Sequence, residues 1–328
     1  MTIINNVFIV DEIEKECKDT LLQHGITVDV RKNETKDQLL KLFPLYDAII
    51  VRSATKITSD LIEAGVEGRL KVIGRAGTGV DNIDVSAATK NGVLVMNTPS
   101  GNSQSAAELT CTLILSLARN VPQADASMKS RKWARKNFMG EEVGGKVLGI
   151  IGLGRIGQMV ASRMQAFGMK IVGYDPFISK ELAKQKGIEL LSLDAIYPIS
   201  DYITVHVPLT SETENLLNKE TLLKCKKGVK IINVARGGIV NEEDLVLAIN
   251  NGHVSGAAFD VYSEEPPKYY ELIENNKIIS TPHLGASTLE AQNRVAVEIA
   301  QNIISLNEGK ENYGALNANE ISSKKKQI

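Results

Sequence analysis

Cysteine is scarce in this chain. Only Cys17, Cys111 and Cys225 occur in 328 residues. An odd number at wide spacing gives neither a disulfide framework nor a zinc-ligand pattern, so reduced structural thiols and no metal site are expected. Charge of one sign is missing too. The formal net charge is −1, so nothing global predicts nucleic acid or an anionic membrane as partner, and an anionic ligand would have to be met by local arginines. The apolar runs are too short to cross a bilayer. Residues 1–11 lack the basic region and apolar run of a signal peptide. A soluble cytoplasmic protein with no membrane partner is expected.

What the chain does have is apolar residues in regular alternation. Hydrophobic residues make up 43% and aromatics 5%, which suits parallel strands rich in Val and Ile. The length predicts two domains. Short apolar runs at 7–10, 27–30, 48–51, 72–74 and 93–95 alternate with amphipathic stretches at 12–23, 35–42, 59–64 and 85–91. A second β-α series has strands at 147–151, 170–174, 202–205, 230–233, 256–259 and 278–280. Both read as doubly wound parallel sheets, an α/β fold of two Rossmann-like domains. Between them lie a turn cluster at 97–102, a helix at 103–119 and a basic helix at 122–136. That basic run suits either a solvated face or a contribution to an anionic site.

A last helix, 288–307, follows the complete second sheet. It is expected to return to the first domain, which makes that domain discontinuous and leaves a ligand-binding cleft between the two. The expected boundaries are 1–98 with 288–316 for the first domain and 99–287 for the second. A polar tail, 317–328, is expected to be disordered.

The strand at 147–151 runs into Gly152-Leu153-Gly154-Arg155-Ile156-Gly157, and Asp175 ends the next strand. Gly152 makes the tight turn, Gly154 admits a pyrophosphate, and Gly157 lets helix pack on strand. The helix N-terminus then offers N–H groups and a positive dipole end. Asp175 suits ribose hydroxyls and would repel a 2′-phosphate, so NAD is expected rather than NADP.

Three further sites follow apolar strands. Arg236 lies in Asn233-Val234-Ala235-Arg236-Gly237-Gly238, where it is either a surface arginine in a glycine turn or a fork for a carboxylate. Asp260 ends a strand, and Glu265 stands before Pro266. His283, one of four histidines, combines a strand end, a preceding proline and a nearby Gly285. Together they suit hydride transfer between a 2-hydroxy acid and NAD. Arg236 would hold the carboxylate, and His283 would move the hydroxyl proton. Glu265 would raise the pKa of His283 and fix its tautomer.

With these motifs at 152–157, 233–240, 260–267 and 282–288, the chain resembles the D-2-hydroxyacid dehydrogenase family over nearly all of residues 5–317. Segments 74–82, 96–103 and 138–140 bring it nearest to the animal-type members that oxidise a phosphorylated 2-hydroxy acid, 3-phospho-D-glycerate, at the start of serine biosynthesis. The resemblance implies Arg236, Glu265 and His283 as the catalytic set. It implies cofactor contacts at Thr78, Arg155, Ile156, Asp175, Asp260 and Gly285, beside Gly152, Gly154, Gly157, Val207, Val234, Ala235 and Ala286. It implies substrate contacts at Arg52, Ser53, Arg75, Gly77, Thr78 and Asn102, with Arg135 from the basic helix, and a homodimer paired through the nucleotide domain.

Two departures stand out. Val207 occupies a position where animal members usually carry Thr, which removes a side-chain contact to the cofactor. Val234 replaces a frequent Cys where backbone contact suffices. Long members also carry regulatory domains beyond this point, so no feedback inhibition by serine is expected. A glyoxylate/hydroxypyruvate reductase would share the Arg-Glu-His set, and an NAD-sensing co-repressor would keep it as well.

Overall fold

The computed structural model describes residues 3–310 and 314–325. The chain divides into two compact units, Met1–Asn102 with Thr288–Ile328, and Ser103–Ser287. The first division falls a few residues beyond the expected 98/99.

Unit 1 holds strands β1 (Asn6–Ile9), β2 (Thr27–Val30), β3 (Ala48–Val51), β4 (Val72–Arg75) and β5 (Leu94–Met96). They form one sheet in the order β2-β1-β3-β4-β5, parallel throughout. Ala48–Val51 is buried at every position, as befits a central parallel strand covered on both faces. The helix Leu289–Asn307, capped by the Thr288 side chain on Ala291 N–H, packs Val295, Ile299 and Ile303 into the same core as Ile4, Val7 and Ile50. This is the expected return. Gly74 on β4 lets it come close, since a Cβ there would stand 3.0 Å from Ile299 Cδ1.

The expected disorder of the tail is corrected over 317–325. Asn317 is only 1% exposed. Its Oδ1 accepts Val95 N–H, and its Nδ2 donates to Thr89 Oγ1 and Val93 O. The helix Ala318–Lys325 follows. A polar composition concealed one buried amide that meets a strand edge. The remainder of that tail, 326–328, lies outside the described residues.

Unit 2 holds β6 (Val147–Ile151), β7 (Lys170–Tyr174), β8 (Glu189–Leu190), β9 (Tyr202–Val205), β10 (Val229–Asn233), β11 (Val254–Phe259) and β12 (Ile278–Ser280). The sheet order is β12-β11-β10-β9-β6-β7-β8, parallel throughout. The order reverses between β6 and β9, where open α/β sheets bind ligands at their carboxyl ends. The sheet has one strand more than expected, because the two-residue β8 is too short to show a period.

The basic helix is also shorter than expected. It ends at Lys129. Arg131 then adopts a left-handed φ of 60°, Lys132 N–H bonds Ser127 O, and Arg131 N–H bonds Met128 O. That is a Schellman stop built on arginine where glycine is usual. Arg135 consequently sits in a separate 3-10 turn, Arg135–Phe138. Among the described residues, no helix is long and apolar enough to cross a membrane.

Candidate active site

Six strands of unit 2 end in the residues that the sequence singles out. After β6, Gly152 has a φ of +96°, and a Cβ there would lie 2.4 Å from the carbonyl oxygen of His206. A Cβ on Gly157 would lie 2.0 Å from Gly152 O. These two glycines are therefore required by the turn itself. At Gly154 no atom lies within 4 Å of the Cβ position, and this residue caps the helix Arg155–Ala166 without a side-chain bond. The helix start thus meets open space, as an anion-binding terminus needs.

Asp175 follows β7. Its Oδ2 accepts Leu153 N–H at 2.8 Å and its Oδ1 accepts Phe177 N–H at 2.8 Å. One carboxylate thereby fixes the glycine turn, and each oxygen keeps a second acceptor site for a ribose hydroxyl. Arg155 and Ile156 form the first helical turn, with Ile156 packed on the core. Val207, past β9, leans on the glycine turn, its Cγ1 2.9 Å from the Cβ position at Gly152.

Beyond β10, Asn233 locks the arginine loop, a role that the sequence did not disclose. Fully buried, it accepts Ala235 N–H at 3.0 Å and donates to Arg236 O at 2.8 Å. A polar residue closing an otherwise apolar strand was the available signal. Arg236 Nη1 donates to Ala235 O at 2.7 Å. Val234 borders Gly285, its Cγ1 3.5 Å from the Cβ position there.

Beyond β11, Asp260 is 0% exposed. Its carboxylate accepts Thr281 Oγ1–H at 2.6 Å, Leu284 N–H at 2.7 Å and Gly285 N–H at 2.8 Å. It therefore moors the His283 loop from inside the protein, with Ala286 following at the loop's end. Tyr262 adds a second mooring, its hydroxyl donating to Thr281 O at 2.9 Å and its N–H to Glu265 Oε1 at 3.1 Å. Nothing local in the sequence marks that tyrosine.

Glu265 and His283 meet. Glu265 Oε2 lies 2.6 Å from His283 Nδ1. Glu265 is pushed up by burial, but the His283 bond and charge, the Tyr262 N–H and the Arg236 charge outweigh this and hold it below its ordinary value. An ionised carboxylate only accepts, so Nδ1 carries the proton and Nε2 is left as the base. The Glu265 bond raises the His283 pKa above the ordinary imidazole value near 6.5, against a lowering by desolvation, and the charges of Glu265 and Asp260 raise it further while that of Arg236 opposes. The Arg236 charge therefore reaches both members of the Glu265–His283 pair. His283 also holds a left-handed φ of 53°, a strain of about 1–3 kcal/mol that persists only where neighbours impose it. The Asp260 bonds on the residues just after it do so.

In unit 1, Arg52 and Ser53 follow β3. Asp11 Oδ2 accepts Arg52 N–H at 2.6 Å, and Asn82 Nδ2 donates to Arg52 O at 2.7 Å. Arg52 Nη1 lies 3.8 Å from Glu14 Oε2. Arg75 closes β4, with Gly77 directly beneath its guanidinium: a Cβ there would stand 1.3 Å from Nη1. Thr78 Oγ1 donates to Asn102 Oδ1 at 2.6 Å, which joins two of the expected substrate residues. Arg135 belongs to unit 2 and is exposed.

Residues 111–285, just over half of the chain, match the family model for the D-isomer specific 2-hydroxyacid dehydrogenase NAD binding domain. A D-3-phosphoglycerate dehydrogenase of Sus scrofa is 52% identical over 320 residues, covering 98% of this chain and 60% of that protein, so the chain spans about three fifths of that curated relative. A glyoxylate reductase from Paecilomyes thermophila superposes with a TM-score of 0.86 at 28% identity, covering 95% of this chain and 98% of that one. A D-lactate dehydrogenase from Aquifex aeolicus, complexed with NAD and lactic acid, gives 0.82 at 28%, covering 93% and 96%. The chain belongs to the D-isomer specific 2-hydroxyacid dehydrogenases, and its second unit carries that family's NAD-binding domain.

Proposed function

We propose that this protein oxidises 3-phospho-D-glycerate to 3-phosphohydroxypyruvate, the first step of a phosphorylated route to serine. The carrying observation is the His283 Nδ1–Glu265 bond at 2.6 Å, set beside Arg236 at the carboxyl ends of β10, β11 and β12. Bound NAD supplies the hydride acceptor. Arg236 grips the substrate carboxylate in a fork. Nε2 of His283 takes the C2 hydroxyl proton as C2 gives up its hydride, and Glu265 offsets the imidazolium charge that results. In reduction the same imidazolium returns the proton.

The choice of substrate rests on the name of the Sus scrofa relative and on the cationic loops of unit 1. We assign phosphate recognition to Arg52 and Arg75, with Ser53, Gly77, Thr78 and Asn102 shaping those loops, and further charge to Arg135. Pairing as a homodimer is supported by the 121–139 segment of unit 2. Its helix Val121–Lys129 buries no residue, and Trp133 and Met139 are 80% and 85% exposed. Three free cysteines accord with a reducing cytoplasm.

The test is NADH formation with 3-phosphoglycerate against glycerate, with the keto product trapped. Turnover with 3-phosphoglycerate and little with glycerate carries the reading. Preference for glycerate moves the enzyme to hydroxypyruvate reduction, and NAD binding without turnover of either makes it a binding protein.

Coenzyme choice has its own test. Asp175→Asn keeps the side-chain shape but removes the charge facing a 2′-phosphate and weakens the acceptors for the ribose hydroxyls. The preference for NAD over NADP, measured as a ratio of Kd values, is expected to shrink about 10-fold, since one to two hydrogen bonds of roughly 0.5–1.5 kcal/mol each are at stake. An unchanged ratio would remove Asp175 from coenzyme recognition.

A further inference from the structure

The loops carrying Arg236 and Glu265 touch at two points outside the reacting groups. The first is a backbone contact. A Cβ on Gly237 would stand 1.8 Å from the carbonyl oxygen of Tyr262 and 2.6 Å from Ser263 N. Only glycine lets the residue after Arg236 lie this close to the Glu265 loop. The second is a side chain. Glu242 opens the helix Glu242–Asn250, and its Oε1 accepts both Ser263 N–H at 2.7 Å and Ser263 Oγ–H at 2.9 Å. The helix that presents Glu242 is itself fixed, since Asn241 caps it on Asp244 N–H at 3.0 Å. Segment 237–242, which directly follows Arg236, thus grips the 262–263 part of the Glu265 loop at both of its own ends.

The consequence is one of registration. Glu265 is two residues beyond Ser263 and takes Tyr262 N–H on Oε1 at 3.1 Å while Oε2 faces His283. Glu265 and Glu242 therefore hold successive N–H groups of the loop, those of Tyr262 and Ser263. Ser263 is exposed, and without Glu242 its N–H and Oγ would lose the acceptor they share, leaving the loop held from Tyr262. We propose that Glu242 is a positioning residue for the dehydrogenation: it fixes the Glu265 loop against the Arg236 loop, so that the carboxylate grip and the proton-transfer pair stay in one geometry. This rests on the roles given above to Arg236, Glu265 and His283.

Glu242→Ala removes the clamp, and Glu242→Gln keeps it, because an amide oxygen accepts the same two bonds. With Glu242→Ala, kcat is expected to fall about 10–100-fold, the scale set by misplacing reacting groups by about 1 Å, while Kd for NAD and thermal unfolding stay near wild type. His283 faces Glu265, Asp260 and Arg236. Of these, only the Glu265 contact depends on the clamp. The imidazole titration, followed by NMR in the substrate-free protein and assigned with a His283→Asn variant, is expected to move down towards 6.5 in Glu242→Ala and to be restored in Glu242→Gln.

The proposal is overturned by an unmoved titration with kcat within about twofold of wild type. It is equally overturned if NAD binding and unfolding fall together with kcat, which would make Glu242 a support of the fold alone. The titration needs no substrate, so a wild-type protein that fails to turn over 3-phosphoglycerate would sink the functional reading without touching the clamp.

Discussion

Replacing His283 by alanine is expected to cut kcat for 3-phosphoglycerate oxidation by about 10²–10⁴-fold, the range that a positioned general base supplies, while Kd for NAD stays near wild type. The fold around the site should survive the change. Asp260 holds the loop through Thr281 and through the backbone of Leu284 and Gly285, and none of these bonds uses the imidazole. Because His283 holds a left-handed φ of 53°, His283→Asn is the better control, asparagine being the more tolerant of that region. If either variant kept kcat within tenfold of wild type, another group would be moving the proton.

The pH profile makes a second demand on the same residue. Oxidation needs the neutral imidazole, so the rate must rise with pH through the His283 pKa. Glu265 lifts that pKa above 6.5, which places the acid limb of kcat/KM on the alkaline side of an ordinary histidine. Reduction needs the imidazolium and must fall through the same limb. Removing the partner, by Glu265→Gln, should move the limb to lower pH in both directions of the reaction. A limb at or below 6.5 in the wild-type enzyme would deny the pairing in solution.

Residues that work through local pattern were legible before the structure. Ala48–Val51 and Tyr202–Val205 are buried at every position, so their apolar runs carry their own boundaries. The glycine turn was legible because its requirements are backbone requirements, and each glycine answers to one of them. His283 and Glu265 could be paired in thought because each follows a strand of the same parallel sheet, whose carboxyl ends converge. What stayed hidden acts through individual polar contacts and backbone conformations. Asn233, Tyr262 and Glu242 each hold a loop by two polar bonds, and no periodicity marks the partner of a polar side chain. Asn317 turned an expected tail into an ordered element by reaching Val95. Arg131 stopped a helix in a conformation that its residue type rarely adopts. In each case the determinant is one residue rather than a pattern, and composition averages it away.

Arg236→Ala is expected to lower kcat/KM for 3-phosphoglycerate by about 10²–10⁴-fold. The loss is that of two charge-assisted hydrogen bonds to the carboxylate at roughly 1.5–3 kcal/mol each, where about 1.4 kcal/mol is a factor of ten. The loop itself should remain in place, since Asn233 bonds the backbone carbonyl of Arg236 and the N–H of Ala235, not the guanidinium. Arg236→Lys should recover only part of the loss, because an ammonium is a point charge without the planar fork. The electrostatic effect on the neighbour has a definite sign. Arg236 lowers the pKa of His283, so its removal should push the acid limb of the oxidation profile to higher pH, opposite to the shift expected for Glu265→Gln. Opposite displacements from two substitutions at the same imidazole would come only from a base held between a cation and an anion. If Arg236→Ala left kcat/KM within a few-fold of wild type, or moved the limb downward, the carboxylate grip would belong to another cation and Arg236 would be a surface residue in a glycine turn.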